Sequence, residues 1–276
     1  MRKKISIAAL ISLCTLCAGA QTYEEYVEAA NRAVSHDSLE YAEQLYKSAL
    51  RLSPYDHRNP LVYSNMAKVQ EAQGHTERAL TSYEYALNLA PQNVPILMSR
   101  ANLYLYMGNM SKALIDYKNV IDVDPNNTEA LRYAGYIYTR QREYAKAKTH
   151  YERLLTIDPD NYAGLLGVAI LFHECDKKAE ALSRLTLLAE KYPDKAEIYS
   201  VRAEIEAEEH QYELAIMDLD KAIELEPDNK NFILARGFLH YEKKNNRLAR
   251  KDFERAISLG VPRGQLKKEL KECKRD

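Results

Sequence analysis

The stretch TEALRYAGYIYTRQREYAKAKTHYERLLTIDPDN, residues 128–161, contains the pattern that decides the fold. Leu131, Ala134 and Tyr138 recur at intervals of three and four residues, which places them on one face of a helix. A charged and polar segment, Gln-Arg-Glu, then interrupts the apolar pattern and predicts a turn. A second apolar stripe follows and ends before Pro159, a residue that cannot continue a helix. This stretch therefore predicts a hairpin of two short helices.

The same pattern recurs along most of the chain at a spacing of 34 residues, with one interval of 37. The recurring alanines are Ala42, Ala79, Ala113, Ala147, Ala181, Ala215 and Ala249. Prolines that follow the first six of them are Pro54, Pro91, Pro125, Pro159, Pro193 and Pro227. Such a period in a helical sequence indicates stacked units, none of which can bury its apolar face alone. The predicted repeats span residues 23–56, 60–93, 94–127, 128–161, 162–195, 196–229 and 230–263.

Residue size within the repeat predicts how the two helices of a hairpin pack. Small residues that let the helices approach closely are Ala30, Ala67, Ala101, Gly135, Ala169, Ala203 and Gly237. Large residues that fill the adjacent space are Tyr46, Tyr83, Tyr117, Tyr151, Leu185, Leu219 and Phe253. Asparagines placed to cap the next helix are Asn93, Asn127, Asn161 and Asn229. At the 37-residue interval, Asn59 and Pro60 are predicted to supply the cap and the first-turn proline instead.

This succession of large, small, aromatic and alanine positions with a closing proline resembles the tetratricopeptide repeat over residues 23–263. The resemblance implies an all-α fold, a right-handed superhelical α-solenoid of helix-turn-helix repeats. It also implies that the first helices of the repeats line a concave groove. Beyond the last repeat, Leu266 and Leu270 lie four residues apart and predict a capping helix within residues 264–276.

The N-terminus predicts an export signal. Three basic residues precede an uncharged apolar run, and Ala18-Gly19-Ala20 supplies small residues before a cleavage point after Ala20. A membrane anchor is the alternative, but the apolar run of about 16 residues is shorter than the ~20 needed to span a bilayer. We therefore expect a cleaved signal peptide at residues 1–20 and no stable membrane insertion afterwards. An exported protein of the bacterial type, periplasmic or secreted, follows from this expectation.

Composition and motifs argue against nucleic-acid binding and against catalysis. The formal net charge is -1, so no basic surplus exists to attract nucleic acid. No phosphate-binding loop, paired CxxC, HExxH or GxSxG is present, and we expect no enzyme activity and no cofactor. His173, Glu174 and Cys175 are consecutive and point in different directions on a helix, so they are not expected to share a metal. Cys175 and Cys273 lie two repeats apart and are expected to be thiols that serve packing.

The resemblance also implies which positions of each first helix are exposed in the groove. In repeats three to five these are Met98, Asn102, Leu105, Tyr106, Arg132, Tyr133, Tyr136, Arg140, Leu166, Ile170 and His173. This apolar and aromatic set with two arginines would suit a peptide that carries a carboxylate. Repeats six and seven contribute an acidic end from Glu197, Glu204, Glu208 and Glu242. The alternative is that these side chains pack against a neighbouring repeat.

Three hypotheses for function follow. The first is an exported scaffold that binds a peptide or protein partner in the groove, in cell-envelope assembly. The second is a glycan-handling accessory factor that stacks sugars on Tyr106, Tyr133 and Tyr136. Burial of these three rings would count against it. The third is a structural protein that self-associates through the open ends of the repeat array.

Overall fold

The computed structural model describes residues 22–273 and contains, in that range, seven helical hairpins followed by a short C-terminal helix. The first helices of the hairpins are α1 (Tyr23–Ser35), α3 (Asn59–Ala72), α5 (Val94–Tyr106), α7 (Thr128–Arg140), α9 (Tyr162–Glu174), α11 (Ala196–Glu208) and α13 (Lys230–Glu242). The second helices are α2 (Leu39–Leu52), α4 (Thr76–Leu89), α6 (Met110–Val123), α8 (Tyr144–Ile157), α10 (Lys178–Lys191), α12 (Tyr212–Leu225) and α14 (Asn246–Ser258). A 3-10 turn (Arg263–Leu266) and α15 (Lys267–Glu272) end the described chain.

The predicted all-α repeat architecture is confirmed. Each helix of a hairpin has 13 or 14 residues, which is marginal for a helix in isolation, so packing supplies most of the stability. The structure forms two compact units, which we call the N-terminal unit (to Ala130) and the C-terminal unit (from Leu131). The predicted signal peptide, residues 1–20, lies outside the described residues. Between residues 22 and 273 no helix combines the length and the apolar character needed to cross a membrane.

Asparagine caps begin four of the first helices, as predicted. The Oδ1 atoms of Asn93, Asn127 and Asn161 accept hydrogen bonds from the backbone N–H three residues later, at 3.2, 3.0 and 3.0 Å. Asn229 accepts from the N–H of Asn231 at 3.1 Å. These bonds satisfy N–H groups that have no partner inside the helix.

The predicted capping role of Asn59 was wrong. Asn59 is the first residue of α3, and its side chain binds the preceding loop instead of the helix N-terminus. Its Nδ2 donates to the carbonyls of Ser53 and Pro54 at 2.9 and 3.0 Å, and its Oδ1 accepts from the hydroxyl of Tyr23. The reason is the three-residue insertion, which brings the loop carbonyls beside a fully buried amide. Asn59 therefore holds the longer loop in place, while Pro60 starts the helix.

A residue in the left-handed conformation lies two positions after the end of every first helix. These residues share one repeat position and are Asp37, Gly74, Gly108, Arg142, Asp176, His210 and Lys244. In each, the reversal lets the next N–H bond back to the helix; Glu143 N–H, for example, donates to the carbonyl of Tyr138 at 2.9 Å. Only two of the seven are glycine, so five repeats hold this turn at a steric cost that a glycine avoids.

The small and large positions predicted for the hairpin core are all buried. Close approach is most evident at Gly135, where an added Cβ would lie 2.9 Å from the ring of Tyr151. The predicted C-terminal cap is also confirmed over the described part of its range. Leu266 and Leu270 are buried in one apolar cluster with Phe253. Cys273 is buried in the same cluster, whereas Cys175 is half-buried, and no disulfide joins them.

Candidate functional site

In the N-terminal unit, α5 presents the first part of the predicted surface. Tyr106 is almost fully exposed, Asn102 is exposed, and Met98 and Leu105 are half-buried. Asn102 is held by the core, because its Oδ1 accepts a 2.5 Å hydrogen bond from the hydroxyl of buried Tyr117. The bond leaves the amide N–H groups of Asn102 as donors for a partner.

In the C-terminal unit, α7 presents a row of cationic and aromatic side chains. Arg132, Tyr136 and Arg140 are spaced at i, i+4 and i+8, which places them along one face of the helix. The guanidinium of Arg132 lies 3.8 Å from the ring centroid of Tyr133. Arg140 is exposed and approaches the carboxylate of Glu174 only to 4.0 Å. We call Arg132, Tyr133, Tyr136 and Arg140 the α7 surface.

Of the three α9 residues that were predicted to be exposed, one is buried and two are half-buried. Leu166 is 4% exposed and packs in a cluster with Ile198 and Ile205 of the next repeat, so its prediction as a surface residue was wrong. Ile170 is half-buried. His173 is half-buried too, and its Nε2 lies 2.9 Å from Oε2 of Glu208. This contact, the largest cause, lowers the pKa of Glu208 below its ordinary value.

An acidic cavity of about 530 Å³ lies among α11, α12 and α13. Three of the four glutamates predicted for the acidic end line it, namely Glu204, Glu208 and Glu242. Ser200 and Tyr212 add hydroxyl groups to its wall, and Leu219 and Leu239 are among its apolar residues. The cavity is of the size of small-ligand pockets, which run from roughly 300 to 1,000 Å³. Its charge suits a cationic side chain.

Sequence reasoning missed three buried ion pairs. In repeats three, six and seven, the seventh residue is an arginine that donates hydrogen bonds to both carboxylate oxygens of the aspartate sixteen residues later. The pairs are Arg100–Asp116, Arg202–Asp218 and Arg236–Asp252. Each aspartate is buried inside its hairpin. The signal that could have found them is the joint recurrence of arginine and aspartate at these two repeat positions.

A second buried carboxyl lies beside one of these pairs. Glu206 of α11 is 8% exposed, and its Oε2 has no hydrogen-bond partner within the described chain. Burial, with the nearby charge of Asp218 as a smaller cause, raises the pKa of Glu206 to about 7, against a partial opposing effect of Arg202. The side chain is therefore partly protonated at neutral pH.

We expect the Glu206→Gln variant to be more stable than the wild type at pH 8 by about 2 kcal/mol, and not more stable at pH 4. The folded protein holds the Glu206 proton more tightly than the unfolded chain does, so protonation of Glu206 stabilises the fold. This stabilisation is complete below about pH 4.5 and is lost as the pH rises through about 7. Glutamine stays neutral throughout. Urea unfolding of both proteins at the two pH values measures this, with the exposed neighbour Glu204→Gln as the control. A gain of the same size at both pH values would contradict the assignment.

Metal binding finds no support in the described residues. No group of three or more histidine, cysteine, aspartate or glutamate side chains between residues 22 and 273 is arranged to hold a metal ion. The consecutive residues His173, Glu174 and Cys175 do not form one.

These features define a class, the helical-repeat scaffold, in which each hairpin packs against its neighbours and the stacked hairpins form an extended surface. Three models of the tetratricopeptide repeat family match the chain, over residues 98–162, 138–205 and 196–229. The chain is a tetratricopeptide repeat protein. Proteins of this kind are scaffolds for protein interaction and are generally not catalysts.

Comparison with individual proteins agrees with this assignment. A tetratricopeptide repeat protein from Parabacteroides merdae has a crystal structure that matches with a TM-score of 0.82 and 28% identity, covering 92% of this chain and 99% of that chain. PilW, described as a type IV pilus biogenesis factor, matches with a TM-score of 0.62 over 72% of this chain and 92% of its own; at 17% identity the likeness concerns the fold alone. The human protein SGT1 homolog is 33% identical over 84 residues, which are 30% of this chain and 23% of that relative's length.

Proposed function

We propose that the protein is an exported scaffold that binds a peptide segment of a partner protein through the α7 surface. The observation that carries this proposal is the row formed by Arg132, Tyr136 and Arg140, in which two guanidinium groups flank an exposed aromatic ring. Arginine presents several N–H donors in a fixed plane and binds carboxylates through paired hydrogen bonds. The expected ligand is therefore an acidic segment with an apolar or aromatic residue.

The acidic cavity favours a peptide ligand that carries both acidic and basic residues. The acidic cavity and the α7 surface both belong to the C-terminal unit; the cavity is lined by glutamates, whereas the α7 surface contains arginines. A segment with a carboxylate for Arg132 or Arg140 and a lysine or arginine for the cavity would complement both. A peptide that contacts both features would have its direction fixed by their opposite charges.

One contact favours a peptide over a glycan. Sugar stacking needs a free, flat aromatic face, but the guanidinium of Arg132 covers one face of the Tyr133 ring at 3.8 Å. Tyr106 and Tyr136 remain exposed, in different units. The α7 surface therefore has one stacked cation–aromatic pair and one open ring, an arrangement suited to a carboxylate beside an apolar side chain.

Export forms the second half of the proposal and rests on the sequence of residues 1–20, where a basic segment, an apolar run and small residues follow in order. A role in the cell envelope or outside the cell follows from it. Mass spectrometry of the protein isolated from its native cells tests this. A mature N-terminus at Gln21 is the expected result, and a protein found only with residues 1–20 attached would overturn export.

We expect the Arg132→Glu/Arg140→Glu variant to lose its partner while keeping its fold. Arginines at the centre of a binding site each contribute about 2 kcal/mol or more, so reversing both charges lowers affinity by well over a hundredfold. Capture of partners from the native cell extract by the wild type and the variant measures the effect. The control, Arg153→Glu/Arg250→Glu, makes the same charge change on exposed positions of α8 and α14. Equal capture by all three proteins, with unchanged thermal unfolding, would contradict the proposal.

A further inference from the structure

An apolar depression of about 440 Å³ lies among α8, α9 and α10 in the C-terminal unit. Leu155 of α8 and Val168, Leu171 and Phe172 of α9 form most of its apolar lining. None of its lining residues belongs to the predicted groove set or to the α7 surface. The depression is therefore a separate feature of this unit, and it does not depend on the function proposed above.

Two residues that line the depression occupy the positions that form a buried ion pair in repeats three, six and seven. In repeats three, six and seven the seventh residue of the first helix is an arginine, and the residue sixteen positions later is the aspartate that binds it. Repeat five carries Val168 and Arg184 at these two positions, and both line the depression. Val168 is smaller than the arginine at this position in repeats three, six and seven, and the exposed cation of Arg184 replaces the aspartate.

Two cationic side chains, Arg184 and Lys177, lie close to the aromatic ring of Phe172. The guanidinium carbon of Arg184 lies 4.5 Å from the ring centroid of Phe172, and the Nζ of Lys177 lies 5.7 Å from the same centroid. Among the described residues, neither cation has a carboxylate at ion-pair distance. Both therefore keep their charge available for an anion that arrives beside the Phe172 ring.

We propose that this depression is a docking site for a partner segment in which a large apolar side chain lies next to an acidic one. The apolar side chain would fill the space above Val168 and Leu171, and the carboxylate would bind Arg184 and Lys177. A volume of about 440 Å³ is near the low end for ligand pockets and accommodates one or two side chains. Lys177 and Arg184 are exposed, so the depression is open on that side, which suits a protruding side chain of a peptide better than an acyl chain that must be covered along its length.

The test measures fluorescence anisotropy of a labelled peptide, Gly-Glu-Phe-Glu-Gly-Ser, with the full chain. The comparisons are made in the Arg132→Glu/Arg140→Glu background, because the α7 surface proposed above would itself bind an acidic peptide. In that background we expect saturable binding, no binding of the matched peptide Gly-Lys-Phe-Lys-Gly-Ser, and at least tenfold weaker binding after the further changes Val168→Arg/Arg184→Asp. That variant introduces the ion pair of repeats three, six and seven, which should fill the space and remove the free cation. Should it fail to fold, as judged by thermal unfolding, Lys177→Glu provides the same comparison with a smaller expected loss of about fivefold.

Two controls separate this site from the α7 surface. Arg153→Glu, on exposed α8 outside the depression, is expected to bind the acidic peptide as the wild type does. In Arg132→Glu/Arg140→Glu, which removes the contribution of the α7 surface, saturable binding at the depression is expected to remain. Absence of saturable binding to the wild type would overturn the proposal, and so would equal affinity in the folded Val168→Arg/Arg184→Asp and Lys177→Glu variants. Loss of binding in Arg132→Glu/Arg140→Glu alone would assign the peptide to the α7 surface and overturn the second site. Saturable binding of dodecanoate without binding of the peptide would also overturn it, in favour of a lipid carboxylate.

Discussion

Replacement of Asp116 by alanine is expected to lower the free energy of unfolding by about 3–5 kcal/mol. Asp116 is 1% exposed, and both of its oxygens accept hydrogen bonds from Arg100, at 2.8 and 2.7 Å. This pairing is the largest cause that raises the pKa of Arg100 above its ordinary value. Alanine removes the carboxylate but leaves a largely buried guanidinium without its partner, and that uncompensated charge causes the loss. Urea unfolding followed by circular dichroism measures it.

The double variant Arg100→Met/Asp116→Leu separates the pair from the packing around it. Repeat two has Met66 at the first of these positions and repeat one has Leu45 at the second, so the hairpin already accepts apolar residues there. We expect the double variant to be within about 1 kcal/mol of the wild type or more stable, because neither charge remains to be desolvated. A double variant as unstable as Asp116→Ala would show that the ion pair itself supplies the stability, contrary to this account.

Replacement of Tyr151 by alanine is expected to cost a similar amount, about 3–5 kcal/mol, for a different reason. The Tyr151 ring lies between Gly135 of its own hairpin and Gly167 of the next; an added Cβ at Gly167 would lie 2.5 Å from Cε1 of this ring. Burial raises the pKa of Tyr151 to about 12, consistent with a hydroxyl removed from water. Removing the ring opens a cavity between two repeats, and thermal unfolding measures the loss.

Two further variants, Tyr151→Phe and Gly167→Leu, test whether the volume of the Tyr151 ring determines the loss of stability. Tyr151→Phe keeps the ring and is expected to cost no more than about 1.5 kcal/mol, the net contribution of one hydrogen bond. Gly167→Leu alone overpacks the contact and costs about 1–3 kcal/mol. In combination with Tyr151→Ala it refills part of the cavity, so the combined loss should be smaller than the sum of the two. Additive losses would contradict a direct contact between these positions.

The regular parts of the fold could be predicted because each repeat position has one physical requirement. A stripe spaced at three and four residues gave the helices, and asparagines ahead of that stripe gave the caps. The role of the Asn59 side chain could not be predicted in this way, because an asparagine before a proline can either cap a helix or bind a loop. Only the position of the Ser53 and Pro54 carbonyls decides between these roles. The left-handed position could be located at Gly74 and Gly108 but not at Arg142, whose side chain gives no such signal.

The candidate site was predicted less completely. Exposure of Tyr106, Tyr136 and Arg140 was predicted from the positions that the tetratricopeptide resemblance implies are exposed, and all three are exposed in the structure. Leu166 was misplaced because α9 is apolar on every side, so its sequence does not mark which leucine faces the next repeat. The burial of Asp116 and its counterparts could not be predicted from single residues, since a charged residue in a helix is usually exposed and pairing across a hairpin depends on tertiary contact.

Site-specific photocrosslinking from position 136 tests the central claim most directly. A benzoylphenylalanine in place of Tyr136 reports contacts of the α7 surface, and the same residue in place of Met217 reports an exposed position of α12 outside it, with Met217 itself 65% exposed. The protein is irradiated in native cells, and crosslinked partners are identified by mass spectrometry. We predict a partner crosslinked at an acidic segment from position 136 and absent from position 217. The same partner crosslinked from position 217, with none from position 136, would contradict recognition at the α7 surface.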